Sequence, residues 1–280
     1  MDTDAKYSSL KEILRSLGKV VLAYSGGVDS TFLLKAAVDT LGADNVIAAL
    51  AVSGSLGKSQ YARAIEMAEF IGANLVEVNL GEVSDSQYSA NKADRCFHCK
   101  GHLFRELLEI AKNENIEHVI YGSNAGDMDD YRPGHRAAEV YGVIAPMAQA
   151  NLTKADIREL SRQAGLKTAD IPASPCLASR ISYGTEITDE KLQQVDQAED
   201  FLRESGFVEF RVRHHGEIAR IEVAADDIER IAAADMRDKV TARLKDIGFK
   251  FVSLDLTGFQ SGSLNDMLTE NEKAAGLKGS

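Results

Sequence analysis

The stretch KVVLAYSGGVDSTFLLKAAVDTLG, Lys19 to Gly42, decides the fold. Its opening, KVVLAY, is a short continuous apolar run, the pattern of a strand buried on both faces of a parallel sheet. DSTFLLKAAVDTLG follows with helical spacing and stops at Gly42, a residue suited to ending a helix. Between them stand two glycines, an aspartate and small hydroxyl residues. Glycines let the backbone fold tightly and turn several N–H groups toward one point. The positive end of the helix starting near Ser30 adds to that point, so the corner reads as an anion cradle with hydroxyls as extra donors. No lysine follows the glycines as in G-x-x-x-x-G-K-[ST], and the G-x-G-x-x-G spacing of dinucleotide sites is absent. A Gly-Gly pair alone is an ordinary tight turn. The six-residue pattern between a strand and a helix favours phosphate.

Outward from this corner, strand and helix patterns alternate. NVIAALAVS, NLVEVNL and HVIYGSN read as further strands; SQYARAIEMAEFIG, KGHLFRELLEIAKNENI and TKADIRELSRQAG read as helices, the last opened by a capping pair, Thr153 and Asp156. Such alternation implies βαβ units and an α/β fold with a doubly wound, mostly parallel sheet. Ligands in such sheets bind beyond the carboxyl ends of the strands, where both YSGGVDS and YGSNAGD fall. After about Tyr183 the pattern changes. TDEKLQQVDQAEDFLRESG is an amphipathic helix, EFRVRHHGEIARIEVA a hairpin turning at His215-Gly216, DDIERIAAADMRDKVTARLKDIG a second helix and FKFVSLDL a last strand. Two helices with three antiparallel-capable strands make a smaller C-terminal α+β domain. The expected division is 1–180, 181–268 and a disordered tail at 269–280, with the boundary between Cys176 and Gly184.

A chain of 280 residues accommodates one large or two modest domains, and 44% hydrophobic with 27% charged residues describes an ordinary core-forming protein. No apolar stretch approaches the roughly 20 residues that span a bilayer. The start, MDTDAKYSSLKEILRSLG, is acidic and amphipathic, unlike a secretory signal or an Arg-rich transit peptide, so a cytoplasmic location is expected. A net charge of −11 argues against broad nucleic-acid binding but leaves room for a local basic pocket. Three cysteines cannot form a disulfide framework and read as reduced thiols.

SGGVDS resembles the pyrophosphate loop (PP-loop) of the ATP pyrophosphatases, a superfamily with an adenine nucleotide alpha hydrolase-like fold that includes NAD synthase, GMP synthase and tRNA-thiolating enzymes. That resemblance places Ser25, Gly26, Gly27, Asp29 and Ser30 around the β,γ-phosphates of ATP, with Mg2+. GSNAGDMDDYRPG (Gly122 to Gly134) and SPCLASRISYGTEIT (Ser174 to Thr188), with RVRHHGEIARIE and LDLTGFQSG, resemble the LarE sulfur transferases over nearly the whole chain. The family's activity is ATP-dependent sulfur transfer to pyridinium-3,5-biscarboxylic acid mononucleotide, on the way to the nickel-pincer nucleotide. A carboxylate is adenylated, a cysteine attacks the acyl-adenylate, and the C–S bond of that cysteine then breaks to leave dehydroalanine. Cys176 stands where the sacrificial cysteine stands. The chemistry is sound in itself, because a thiolate is the best side-chain nucleophile for a mixed anhydride and the nearby Arg180 would favour its charged form. A lone cysteine after a proline is otherwise a small packed residue.

RCFHCK places Cys96 and Cys99 at a spacing shared by zinc sites, redox dithiols and iron–sulfur proteins, and the sacrificial members of the family lack this pair. Three-cysteine members resemble tRNA thiolases that hold a 4Fe-4S cluster by three cysteines. On that resemblance Cys96, Cys99 and Cys176 ligate a cluster whose free iron carries sulfide. Cys176 is thus either a consumed sulfur donor or a cluster ligand, and a zinc site or two unligated thiols are further readings of the pair.

Arg211 and Arg213 alternate in EFRVRHH and share one strand face, an arrangement suited to phosphate or to charge partners among Glu209, Glu217 and Glu222. By resemblance Lys100, Ser179, Arg180, Arg211 and Arg213 hold the substrate's phosphate and carboxylates. In GDMDDYRPG, Asp127 or Asp130 could hold Mg2+ or orient the adenylate, while Asp129 and Arg132 share that loop; a turn held by Asp side chains is the plainer reading. His214 and His215 are expected to be exposed near the hairpin turn, and Glu199 and Glu222 match carboxylates of the family's small domain. Family members form homo-oligomers, so a trimer or hexamer is expected, with a small-molecule nucleotide as partner and neither membrane nor nucleic acid. The competing readings are another PP-loop adenylating enzyme, either a tRNA thiolase or an NAD or GMP synthase-like amide-forming ligase, and a non-enzymatic nucleotide- or cluster-sensing module. The ligase leaves the cysteines without a role, the thiolase lacks a nucleic-acid-binding segment, and the sensor would bind ATP without releasing pyrophosphate.

Overall fold

The computed structural model describes residues 2–129, 133–172, 174–260, 262–270 and 272. Asp130, Arg132 and most of the expected tail, residues 271 and 273–280, lie outside them. The described chain divides into two compact units. One comprises residues 1–82 and 96–174, and the other residues 83–95 and 175–278.

The first unit opens with α1 (Thr3–Leu17), capped by Asp2, whose carboxylate accepts from the Ala5 N–H. It continues β1 (Val20–Tyr24), α2 (Val28–Leu41), β2 (Val46–Val52), α3 (Lys58–Ile71) and β3 (Asn74–Asn79). The chain then passes through α4 (Ser86–Ser89) of the second unit and returns as α5 (Arg95–Asn113) and β4 (His118–Tyr121). The short α6 (Pro133–Val140), α7 (Pro146–Gln149) and α8 (Lys154–Gln163) follow. The sheet order is β3-β2-β1-β4 and every pairing is parallel, as the alternating pattern predicts.

Strand periodicity explains the two layers of helices. All five residues of β1 are buried. Val20, Leu22 and Tyr24 join Leu10, Phe32, Leu33 and Leu160 in one core, under α1, α2, α3 and α8. Val21 and Ala23 point the other way and join Leu103, Phe104 and Leu107 of α5 in a second core. The chain winds outward from β1 through β2 to β3 and then starts again on the other side at β4. The strand order therefore reverses between β1 and β4, and a crevice opens beyond the carboxyl ends of these two strands.

The second unit contains α9 (Asp189–Glu204), β5 (Phe210–His215), β6 (Ile218–Val223), α10 (Ile228–Ala232), α11 (Ala234–Ile247) and β7 (Phe251–Leu254). Phe210, Val212, Ala219, Ile221 and Val223 face a core completed by Leu202, Phe207, Val240 and Leu244. Three expectations need correction. The hairpin turns at Gly216-Glu217, with His214 and His215 in the strand itself. The helix expected over 226–248 is broken at Ala233, whose φ of −58° and ψ of 141° are extended. Only β5 and β6 are antiparallel: β7 runs parallel to β6, because the chain between them crosses over through α10 and α11.

Segment 83–95 is bound into the second unit by backbone bonds from the Ile187 N–H to the Ser89 carbonyl (2.8 Å) and the Gly184 N–H to the Asn91 carbonyl (3.0 Å), and by the side chains of Asn91 and Arg95. Asn91, fully buried with a positive φ of 52°, donates its amide to the carbonyls of Ile181, Ser182 and Thr185. Its Oδ1 accepts from Arg95 at 2.6 Å, and Arg95 also reaches the Ala178 carbonyl at 3.0 Å.

Candidate active site

At the crevice of the first unit, Ser25 to Gly27 link β1 to α2. Gly26 has a φ of +67°, and a Cβ there would lie 2.6 Å from that of Ala64 on α3. From the other side Gly122, just after β4, packs so closely that a Cβ would lie 2.8 Å from the Ser30 nitrogen. The corner is thus held between two elements by contacts that only glycines permit. Ser30 Oγ accepts from the Ser25 N–H at 3.2 Å, lies 3.0 Å from Ser25 Oγ and donates to the Gly27 carbonyl. Ser25, Gly26, Gly27, Asp29 and Ser30 therefore occur together in one loop and first helical turn, with Ser25 and Gly27 exposed.

Asp29 carries the charge of the corner. Its Oδ2 accepts from Lys154 Nζ at 2.7 Å, while its Oδ1 is buried without a hydrogen-bond partner among the described residues. A buried carboxylate oxygen lacking a donor suits a divalent cation such as the Mg2+ that accompanies ATP. Lys154 was not singled out from the sequence. It opens α8 beside the Thr153–Asp156 capping box, and Asp156 is fixed in turn by Lys6 and Thr3 of α1. Asp127 Oδ2 accepts from both the backbone and side-chain amide of Asn124, closing the turn after β4.

Cys96 and Cys99 lie one turn apart at the start of α5, both half-buried. Lys100 follows them, its ammonium 5.7 Å from the Phe104 ring, and Arg136 stacks on Phe97 at 5.2 Å. Two thiols at this spacing suit a shared metal or iron–sulfur group. Within neither unit do the described residues form a group of three or more His, Cys, Asp or Glu placed to hold a metal ion.

In the second unit Cys176, also half-buried, precedes a 3-10 turn over Leu177–Arg180. Ser179 Oγ donates to the Cys176 carbonyl at 2.8 Å. Arg180 is 1% exposed and grips Glu199 through Nε and Nη2, at 2.9 and 3.0 Å. On the polar face of the small sheet, Arg213 binds Glu222 at 2.7 Å, Ser263 at 3.1 Å and the Ser179 carbonyl at 3.1 Å. Arg211 stacks on Phe259, 4.8 Å from its centroid. Burial, with Arg180 and Arg213 nearby, lowers its pKa to about 10, and Glu199 and Glu222 partly offset that shift. His214 and His215 are not exposed as expected. His214, 2% exposed, turns to the core against Phe249, and His215 sits against Ser182.

Comparison with known proteins places this architecture. The NAD synthase family profile matches residues 5–115, the part of the chain that carries the glycine corner. An uncharacterised protein of Synechocystis sp. is 39% identical over 95% of this chain and 99% of its own. The pyridinium-3,5-bisthiocarboxylic acid mononucleotide synthase of Lactiplantibacillus plantarum is 38% identical over 96% of this chain and 97% of its own. The chain belongs to this synthase family. An uncharacterised protein of Methanocaldococcus jannaschii, 29% identical over 91% of this chain, is a more distant relative. As a synthase-family member with a PP-loop unit, the chain is an enzyme of the adenylating class. No helix among the described residues is long and apolar enough to cross a membrane.

Proposed function

We propose that this chain adenylates a carboxylate of pyridinium-3,5-biscarboxylic acid mononucleotide and converts it to a thiocarboxylate. The observation that carries this reading is the 38% identity with the synthase across 96% of the chain. The glycine corner gives that match its chemistry. A substrate carboxylate oxygen attacks the α-phosphorus of ATP, and pyrophosphate leaves. Ser25, Gly26, Gly27 and Ser30 cradle the β,γ-phosphates with backbone N–H groups and hydroxyls. Asp29, with its unpartnered Oδ1, would hold the Mg2+ that screens the phosphate charge, and Lys154, paired with Asp29 Oδ2, keeps that carboxylate in place beside the cradle. The Cys176 thiolate then attacks the acyl carbon, AMP leaves, and a thioester forms. Removal of a proton from Cα of Cys176 breaks its Cβ–S bond, leaving the thiocarboxylate and dehydroalanine. Ser179, Arg211, Arg213 and Lys100 are the groups offered to the substrate's phosphate and carboxylates, while Asp127 shapes the loop beside ATP.

The test is to supply ATP, Mg2+ and the dicarboxylate mononucleotide and to follow pyrophosphate together with the mass of the chain. Substrate-dependent pyrophosphate release is expected, with Cys176 losing the elements of hydrogen sulfide. Release without the mononucleotide, or none with it, would overturn the reading.

A second form of the same function rests on the extra pair. Cys96, Cys99 and Cys176 would hold a 4Fe-4S cluster, which when bound supplies an open iron for sulfide and spares Cys176. Two helical thiols one turn apart favour this reading. The family reading also implies a homo-oligomer, trimer or hexamer, in the cytoplasm, with no nucleic-acid or membrane partner. Light scattering on the purified protein measures the assembly.

A further inference from the structure

The guanidinium of Arg180 is occupied on every side. Nε and Nη2 take the two oxygens of Glu199 as a parallel pair, and Nη1 lies within hydrogen-bond distance of the Pro175 carbonyl (2.6 Å), the Cys176 carbonyl (3.2 Å) and Ser179 Oγ (2.9 Å). Glu199 is anchored in its turn. It stands on α9, its side chain is 5% exposed, and its Oε1 also accepts from the Val212 N–H of β5 at 3.1 Å. The carbonyl of Cys176 receives a second donor, Ser179 Oγ, at 2.8 Å. A helix, a strand and the Cys176 segment therefore meet at one buried, charge-paired group.

We propose that Arg180 is a positioning residue. Through Glu199 it sets the backbone of Pro175 and Cys176 against the rigid α9–β5 layer and so aims the thiol, and it does not bind the substrate's anions. An arginine that is 1% exposed and spends its fork on a carboxylate cannot also grip a phosphate without breaking the pair. Reactive groups need their neighbours' rotamers locked, and misplacement by about 1 Å can cost about 100-fold in rate. This inference rests on the sulfur-transfer reading for its consequence but not for its geometry.

Arg180→Lys keeps the charge and loses the fork, and Ser179→Ala removes the second donor to the Cys176 carbonyl together with one acceptor of Arg180 Nη1. Two measurements apply to both. The first is sulfur transferred per pyrophosphate released, together with KM for the dicarboxylate mononucleotide. The ratio is expected to fall about 10- to 100-fold in Arg180→Lys with KM within about twofold, and to fall less in Ser179→Ala, whose KM is not diagnostic because Ser179 is itself offered to the substrate. A raised KM with the ratio preserved in Arg180→Lys would overturn the proposal in favour of anion binding. The second is site-resolved alkylation of the thiols by iodoacetamide. Cys176 is expected to change rate several-fold in both variants while Cys96 and Cys99 hold theirs. Equal rates at Cys176 in Ser179→Ala and the parent would overturn the proposal even if Arg180→Lys does not fold. A parent enzyme that releases no pyrophosphate would count against the functional reading alone, and alkylation would still decide the role of Arg180.

Discussion

At Gly26 and Gly122, single hydrogen atoms set the shape of the phosphate cradle. Alanine at Gly26 meets both a positive φ and the Ala64 methyl at 2.6 Å, and alanine at Gly122 meets the Ser30 backbone. Each substitution should destabilise the first unit by about 1–3 kcal/mol and weaken ATP binding, measurable by thermal denaturation with and without nucleotide. Asp29→Asn should leave the fold in place, because only the exchange with Lys154 is altered, while pyrophosphate release falls about 100-fold or more. Equal release by the variant would remove Asp29 from the site. The glycine corner was legible from sequence because local backbone demands fix its residue types within six positions. Lys154 was not, since it meets Asp29 only after the chain has returned from 125 residues away. His214 was misread for a related reason. Proximity to a turn suggests exposure, but strand parity sends its ring to the core.

Helices α1 and α8 are joined by a polar knot rather than by apolar packing alone. Burial opposes charge on Asp156, but hydrogen bonds from Lys6, Thr153 and Thr3 outweigh it and hold the carboxyl well below its ordinary range. A depressed carboxylate contributes stability above its unfolded pKa and loses it as pH falls. Asp156→Asn should therefore cost on the order of 1–2 kcal/mol near neutrality, and the gap from the parent should close on acidification. In the second unit, burial first and then Lys191 lower the pKa of His214 to about 4. The unfolded chain takes up a proton near the ordinary histidine value, the folded chain not until about pH 4. Stability present above about pH 6.5 is thus lost as pH falls toward 4, by on the order of 2 kcal/mol. Denaturant titrations of the parent and His214→Gln across that window should show a shallower loss in the variant; parallel curves would exclude the histidine as the source. Most of these elements were readable from periodicity. The break at Ala233 and the parallel β7 were not, because an unbroken helical pattern says nothing of the crossover it must make.

For the molecule as a whole, the open question of chemistry is whether sulfur is consumed from the chain or passed through it. Iron and acid-labile sulfide in anoxically purified protein distinguish the two. About four irons per chain, lost in Cys96→Ala, are expected for a cluster. No iron would return Cys176 to a single-turnover donor, with dehydroalanine after one cycle. The whole-chain family signal was legible in SGGVDS, SPCLASR and the small-domain motifs, whereas membership of segment 83–95 in the second unit was not. Its tie is made by the amide of Asn91, the guanidinium of Arg95 and two backbone bonds, whose partners are main-chain groups and leave no trace in side-chain pattern. That tie has a consequence for the order in which the protein is made. On the ribosome, residues 83–95 emerge long before Ile181, Ser182 and Thr185 exist to accept the Asn91 amide. The segment must wait as an unpaired excursion while the surrounding parallel sheet closes around its two ends. A nascent chain stalled near residue 174 should expose 83–95 to protease, and one released past residue 215 should protect it.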